Sequence, residues 1–215
     1  MPGMAPAHPM IISTLHRYIF VAIPKTGTHA VRRALRKHMG ARDMEQVGLF
    51  VQSRLPVPEL ARLEHGHITL QQLQPFMKPG DFDAFFKFAF VRNPFDRFVS
   101  YCAFRTREEG EFDRDPQKVM REFLEAPPHD HILFQPQHLM LTGTGGELLA
   151  DHVGRFEEMQ QSYDSVCERI GIPKAALERV NTSRRRDYRE YYDQSLIDGV
   201  AGLYARDLEL FGYEF

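Results

Sequence analysis

The residues of this chain best able to do chemistry begin at Pro24-Lys25-Thr26-Gly27-Thr28-His29, where a cation, two hydroxyls, an imidazole and a glycine share one short stretch. That mixture suits an anion. Lys25 supplies a point charge, Thr26 and Thr28 supply donors, and Gly27 lets a phosphate approach the backbone. A helix beginning here would add its first N–H groups, which lack internal partners, and the favourable end of its dipole. The stretch is not the GxxxxGK[ST] loop of nucleoside triphosphatases, being shorter and placing its lysine before the glycine. Taken alone, it also fits an ordinary strand–helix turn. Two other groups stand out. One is Arg92-Asn93-Pro94, with Ser100 downstream. The other is His65-Gly66-His67, whose rings point the same way if the backbone is extended. Imidazole accepts a proton near neutral pH, so a catalytic pair is one reading and surface histidines at a strand edge another. A metal site needs more ligands than one His-x-His pair, and no third partner has recognisable spacing, so no metal is expected.

The elements that must position these groups follow from hydrophobic pattern. Tyr18 to Ile23 is an unbroken apolar run that suits a strand buried on both faces. Ala30, Val31, Ala34 and Leu35 recur at helical spacing, with Arg32, Arg33, Arg36 and Lys37 assigned to the other face and Gly40 as the stop. Phe85 to Val91 is a second apolar strand. The helix after it turns Phe95, Phe98, Val99, Cys102 and Ala103 inward. Asp115-Pro116 reads as the start of another helix. Short helices are expected near Pro58 to Leu63 and Leu70 to Met77, a short strand at Val47 to Val51, and a plain turn at Thr142 to Gly146. Asp151 to Phe156 is a third strand, followed by a helical stripe from Met159 to Ile170 that Gly171 ends. One last helix runs from Ile197 to Phe211, with Arg206 and Asp207 facing out. Strands alternating with helices predict an α/β fold around a central, mainly parallel sheet with helices on both faces.

PKTGTH after a first strand, with RNPFDRFVS after a later one, resembles the sulfotransferases that use 3′-phosphoadenosine 5′-phosphosulfate (PAPS). The resemblance runs from Tyr18 to Phe215 and implies a P-loop-like sulfotransferase fold. It also implies that Lys25, Thr26, Gly27, Thr28 and His29 form the 5′-phosphosulfate loop, and that Arg92 and Ser100 hold the 3′-phosphate. His29 departs from the pattern, since a serine or threonine is usual there. The His-Gly-His triplet resembles that of heparan and uronyl 2-O-sulfotransferases, where it carries the catalytic histidines. The implied roles are His67 as the base and His65 as an orienting or sharing partner. Within Asn181 to Arg186, Ser183 and Arg184 would belong to a flap over the donor's phosphates, against the alternative of a solvated loop. Gln135-Pro136-Gln137 resembles a segment near the acceptor. The implied reaction moves a sulfuryl group from PAPS to a hydroxyl-bearing acceptor, with a carbohydrate favoured by the triplet. It needs no metal, because Lys25 and helix dipoles supply positive charge. The competing classes are a P-loop kinase using ATP and Mg²⁺ and a non-catalytic nucleotide-binding module.

Composition bounds the rest. The chain has 215 residues, which suits a flexible tail over residues 1–12 and a single domain over 13–215. Its formal net charge of −2 argues against a nucleic-acid partner. Cys102 and Cys167 fall among apolar helical positions and read as buried thiols. The N-terminal residues make a poor signal peptide and no segment reaches membrane-spanning length, so a cytoplasmic enzyme with no membrane anchor is expected.

Overall fold

The computed structural model describes residues 10–46, 55–63, 65–178 and 186–215. The strand expected at Val47 to Val51, and both Ser183 and Arg184, lie outside the described residues. In chain order the main elements are β1 (Ile11–Ser13), β2 (Tyr18–Val21), α1 (Thr28–Arg36), β3 (Met44–Glu45), β4 (Phe86–Val91), α2 (Pro94–Arg105), α3 (Pro116–Glu125), β5 (His152–Arg155), α4 (Met159–Ile170), α5 (Gln194–Leu203) and α6 (Ala205–Phe211). They group into two compact units, one within Met1–Val91 and Leu139–Val180, the other within Arg92–His138 and Asn181–Phe215.

The first unit holds a five-stranded sheet in the order β3-β1-β2-β4-β5. Apolar runs in β2 and β4 pair in parallel, with Tyr18 opposite Phe86 and Val21 opposite Ala89, and β5 joins β4 in parallel. Alternate side chains of the two runs (Tyr18, Phe20, Phe88, Phe90) pack with Val31, Ala34 and Leu35 of α1 and with Tyr163, Val166, Cys167 and Ile170 of α4. The intervening residues Ile19, Val21, Ala89 and Val91 are buried as well. Burial on both faces is why these strands show no polar alternation.

The sheet is mixed, not mainly parallel. β1 runs against both its neighbours, β2 and β3. Only residues 14–17 connect β1 to β2, and a parallel pairing needs a crossover of a dozen residues or more. This turn carries no glycine, and Arg17 takes a left-handed φ of 53°. Asp43 holds it from a distance: its Oδ1 accepts from Thr14 N at 2.7 Å and Leu15 N at 3.1 Å, and its Oδ2 accepts from Ser13 Oγ at 2.6 Å.

The second unit is helical. Phe95, Phe98, Val99, Tyr101 and Cys102 of α2 pack with Val119 and Met120 of α3, Leu196 and Val200 of α5, and Phe134 and Tyr204. Asp115 caps α3 by accepting from Lys118 N at 3.1 Å, as its Asp-Pro start predicts. The single C-terminal helix read from the sequence is two, α5 and α6, with Tyr204 between them. Asp207, expected to face out, is fully buried. Cys102 and Cys167 are buried free thiols. No helix among the described residues is long and apolar enough to cross a membrane.

Candidate active site

The turn after β2 is built by two residues with positive φ. Lys25 sits at φ 67° and Gly27 at φ 73°. Glycine takes that conformation freely, whereas a lysine pays roughly 1–2 kcal/mol for it. Strain of this kind persists where the surroundings over-determine the backbone, and it concentrates at functional sites. The surroundings here are visible. A Cβ on Gly27 would lie 2.9 Å from Phe156 Cε2 and 3.0 Å from Met159 Cε, so the β5–α4 junction forms a wall behind the turn. Thr26 is buried and donates from Oγ1 to Ile23 O at 3.0 Å, which pins the turn to the end of the strand. Thr26 is therefore a brace. Lys25 is half-buried.

Gly27 is the N-cap of α1 and brings no side-chain cap, and its carbonyl accepts from Ala30 N at 3.2 Å. Thr28 is 1% exposed, and its Oγ1 has no hydrogen-bond partner among the described residues. His29 is held neutral at ordinary pH: burial first, then the charges of Arg32, Arg33 and Lys25, lower its pKa to about 4. Arg32, expected on the solvent face of α1, is instead 4% exposed. Its Nε and Nη1 have no hydrogen-bond partner among the described residues, and its Nη2 lies 3.5 Å from His29 Nδ1. Burial, together with Arg36 and Arg33, pushes its pKa down against the pull of Glu45. The helical pattern failed here because the buried arc of α1 is wide, taking in Thr28, Val31, Arg32, Ala34 and Leu35.

His65 and His67 present their rings to one another, with centroids 6.2 Å apart. His67 is 1% exposed, and its Nδ1 donates to Ala22 O at 2.6 Å. A carbonyl only accepts, so Nδ1 carries the proton, and in the neutral ring Nε2 carries the lone pair. Ala22 immediately precedes Ile23-Pro24-Lys25, so the same hydrogen bond ties the triplet to the cradle. Burial lowers the pKa of His65. Buried Gln46, which the sequence did not single out, fixes the segment by donating from Nε2 to His65 O at 2.7 Å and Leu60 O at 2.8 Å. Among the described residues no group of His, Cys, Asp and Glu could hold a metal ion.

In the second unit Arg92 is 8% exposed, and its Nε and Nη2 both reach Asp96 Oδ2, at 2.7 and 2.6 Å. Asp96 and Ser100 are one turn apart on α2 and so share a face. Asn93 caps that helix by accepting from Phe95 N at 3.0 Å, while its Nδ2 donates to Glu214 O at 2.8 Å. The backbone of Arg92 is clamped by an amide: Gln137 Oε1 accepts from Arg92 N, and Gln137 Nε2 donates to Arg92 O, both at 2.9 Å. Asp207 supports the clamp by accepting from Gln137 N at 2.7 Å, His138 N at 2.8 Å and His138 Nδ1 at 2.7 Å. Those three bonds are why Asp207 is buried.

A family model described as the sulfotransferase family matches residues 8–214. This chain belongs to the sulfotransferase family. An uncharacterized protein of Archaeoglobus fulgidus is similar to it, with 28% identity over 109 residues, covering 51% of this chain and 87% of that protein. No solved structure matches. In this sulfotransferase the residues that sequence reasoning passed over are Arg32, Gln46, Gln137 and Asp207. Arg32 and Asp207 were assigned to solvent by helical spacing, Gln137 lay in a segment singled out for a different reason, and Gln46 carried no signal.

Proposed function

We propose that this sulfotransferase moves a sulfuryl group from PAPS to a hydroxyl of a carbohydrate. The observation that carries the reading is the turn before α1. Two left-handed residues deliver an uncapped helix start, a half-buried lysine and an orphaned buried hydroxyl to one place. Buried donors without partners are rare and call for an acceptor, and an oxyanion supplies it.

In this reading Lys25 neutralises charge gathering on the departing 5′-phosphate, and the N–H groups of Thr28 and His29 with Thr28 Oγ1 hold the phosphosulfate. Arg92 and Ser100 hold the 3′-phosphate, with Asp96 and Gln137 fixing Arg92. His67 Nε2 takes the proton as the acceptor oxygen bonds to sulfur and the bond from sulfur to the phosphate oxygen breaks. The Nδ1 bond to Ala22 holds the ring in the tautomer that can do this. His65 lines the acceptor side.

Calorimetry with 3′-phosphoadenosine 5′-phosphate (PAP), ATP and adenosine 5′-phosphosulfate tests the donor. PAP should bind best. Arg92→Ala should weaken PAP by about 1.5–3 kcal/mol, the scale of a charge-assisted hydrogen bond, and leave adenosine 5′-phosphosulfate nearly unchanged. Preference for ATP would overturn the reading. Transfer of ³⁵S from labelled PAPS to a mixture of glycans, proteins and small phenols tests the acceptor, and label on protein or small phenols alone would remove the carbohydrate.

A further inference from the structure

Arg32 poses a problem that the cradle's recognised residues do not solve. Its guanidinium is almost wholly out of water, and two of its three nitrogens have no hydrogen-bond partner among the described residues. Its neighbours do not supply one. Glu45 is already engaged by Arg36, whose Nε lies 2.7 and 2.9 Å from its two oxygens and whose Nη2 lies 2.7 Å from Oε2. His29 Nδ1, at 3.5 Å, belongs to a ring held neutral and offers no charge. A buried cation left in this state is costly, and proteins keep one where an anion is to be met.

The direction of the side chain says where. Helical side chains lean back toward the helix N-terminus, and the approach of Nη2 to His29 shows Arg32 doing so. The guanidinium therefore lies along the first turn of α1, the turn that also carries the unpartnered Thr28 Oγ1. Thr28 and Arg32 are four residues apart, on one face. We infer that Arg32 is a second cation of the cradle, binding a phosphate or sulfate oxygen directly from within α1, opposite in origin to the lysine of the turn. That the anion is the phosphosulfate of PAPS rests on the proposed function; that Arg32 meets an oxyanion does not. The planar fork of a guanidinium gives two donors to one tetrahedral group, which a lysine cannot do.

The test measures two quantities that a purely structural arginine would move together. Arg32→Met and Arg32→Gln are compared with the wild type for melting temperature without ligand and for affinity toward PAP and inorganic pyrophosphate by calorimetry. If Arg32 is an anion site, removing a buried charge whose Nε and Nη1 lack hydrogen-bond partners among the described residues leaves the melting temperature of the methionine variant unchanged or raised, while affinity for both ligands falls about ten- to hundred-fold. Wild-type affinity for both ligands in a folded variant overturns the inference, whatever its melting temperature. If the methionine variant does not fold, the glutamine variant decides by the same affinities. Wild type that binds pyrophosphate but not PAP, with the loss in the variants intact, sinks the proposed donor and leaves Arg32 standing. Wild type that binds neither sinks both.

Discussion

Replacing His67 by asparagine and, separately, by glutamine divides the ring into its two nitrogens. The amide nitrogen of asparagine falls where Nδ1 lies, so it can still donate to Ala22 O, now 2.6 Å from the ring, while nothing remains at Nε2. Glutamine reaches the Nε2 position and abandons the carbonyl. At this 1%-exposed site an orphaned carbonyl costs about 1–3 kcal/mol. Loss of a general base costs about 10²–10⁴ in rate. His67→Asn should therefore unfold in denaturant close to wild type, bind PAP normally and transfer ³⁵S from labelled PAPS about 10²–10⁴ more slowly in single turnover. His67→Gln should be equally slow and also less stable by about 1–3 kcal/mol. An asparagine variant that turns over within a few-fold of wild type would show that Nε2 takes no proton and that the triplet is only a structural tie to β2.

Two further outcomes follow from the cradle. Lys25→Gly should be more stable than Lys25→Ala by a net of roughly 1 kcal/mol, because glycine escapes the left-handed cost at φ 67° even after its larger loss of chain entropy, while both lose about 10²–10³ in turnover; equal stability in urea would refute the strain. The second concerns pH. His29 has a folded pKa of about 4 against 6.5 in the unfolded chain, so between those values the unfolded chain binds more protons and stability falls as pH falls. Melting temperatures at pH 7 and 4.5 should show a smaller drop for His29→Asn than for wild type, and an equal drop would remove His29 as a contributor.

Where local pattern sufficed, the fold was readable. The apolar runs at β2 and β4, the helix stripe of α4 with its Gly171 C-cap, and the Asp-Pro start of α3 all sit where spacing places them. The β1–β2 hairpin was not readable, because its turn is held by Asp43, far off in sequence, and not by turn residues of its own. Asp207 and Arg32 failed for a shared reason. Each is a charged residue that helical spacing assigns to solvent, and each is buried by what surrounds it in three dimensions. Asp207 is explained by donors from residues 137 and 138; Arg32 Nε and Nη1 meet no acceptor among the described residues. The cradle was legible as a composition. The left-handed Lys25 and the tie from His67 to Ala22 were not, because dihedral angles and long-range hydrogen bonds leave no local mark.

The wall behind Gly27 also constrains history. Phe156 and Met159 stand where a side chain at position 27 would have to go, and φ 73° would resist that side chain even if they withdrew. Substitutions at these positions are therefore ordered. The wall can shrink while the glycine stays, but the glycine cannot leave first. A lineage carrying this cradle can explore positions 156 and 159 one step at a time, whereas position 27 lies behind at least two coordinated steps. The turn is thus shielded from gradual change by the geometry that shapes it.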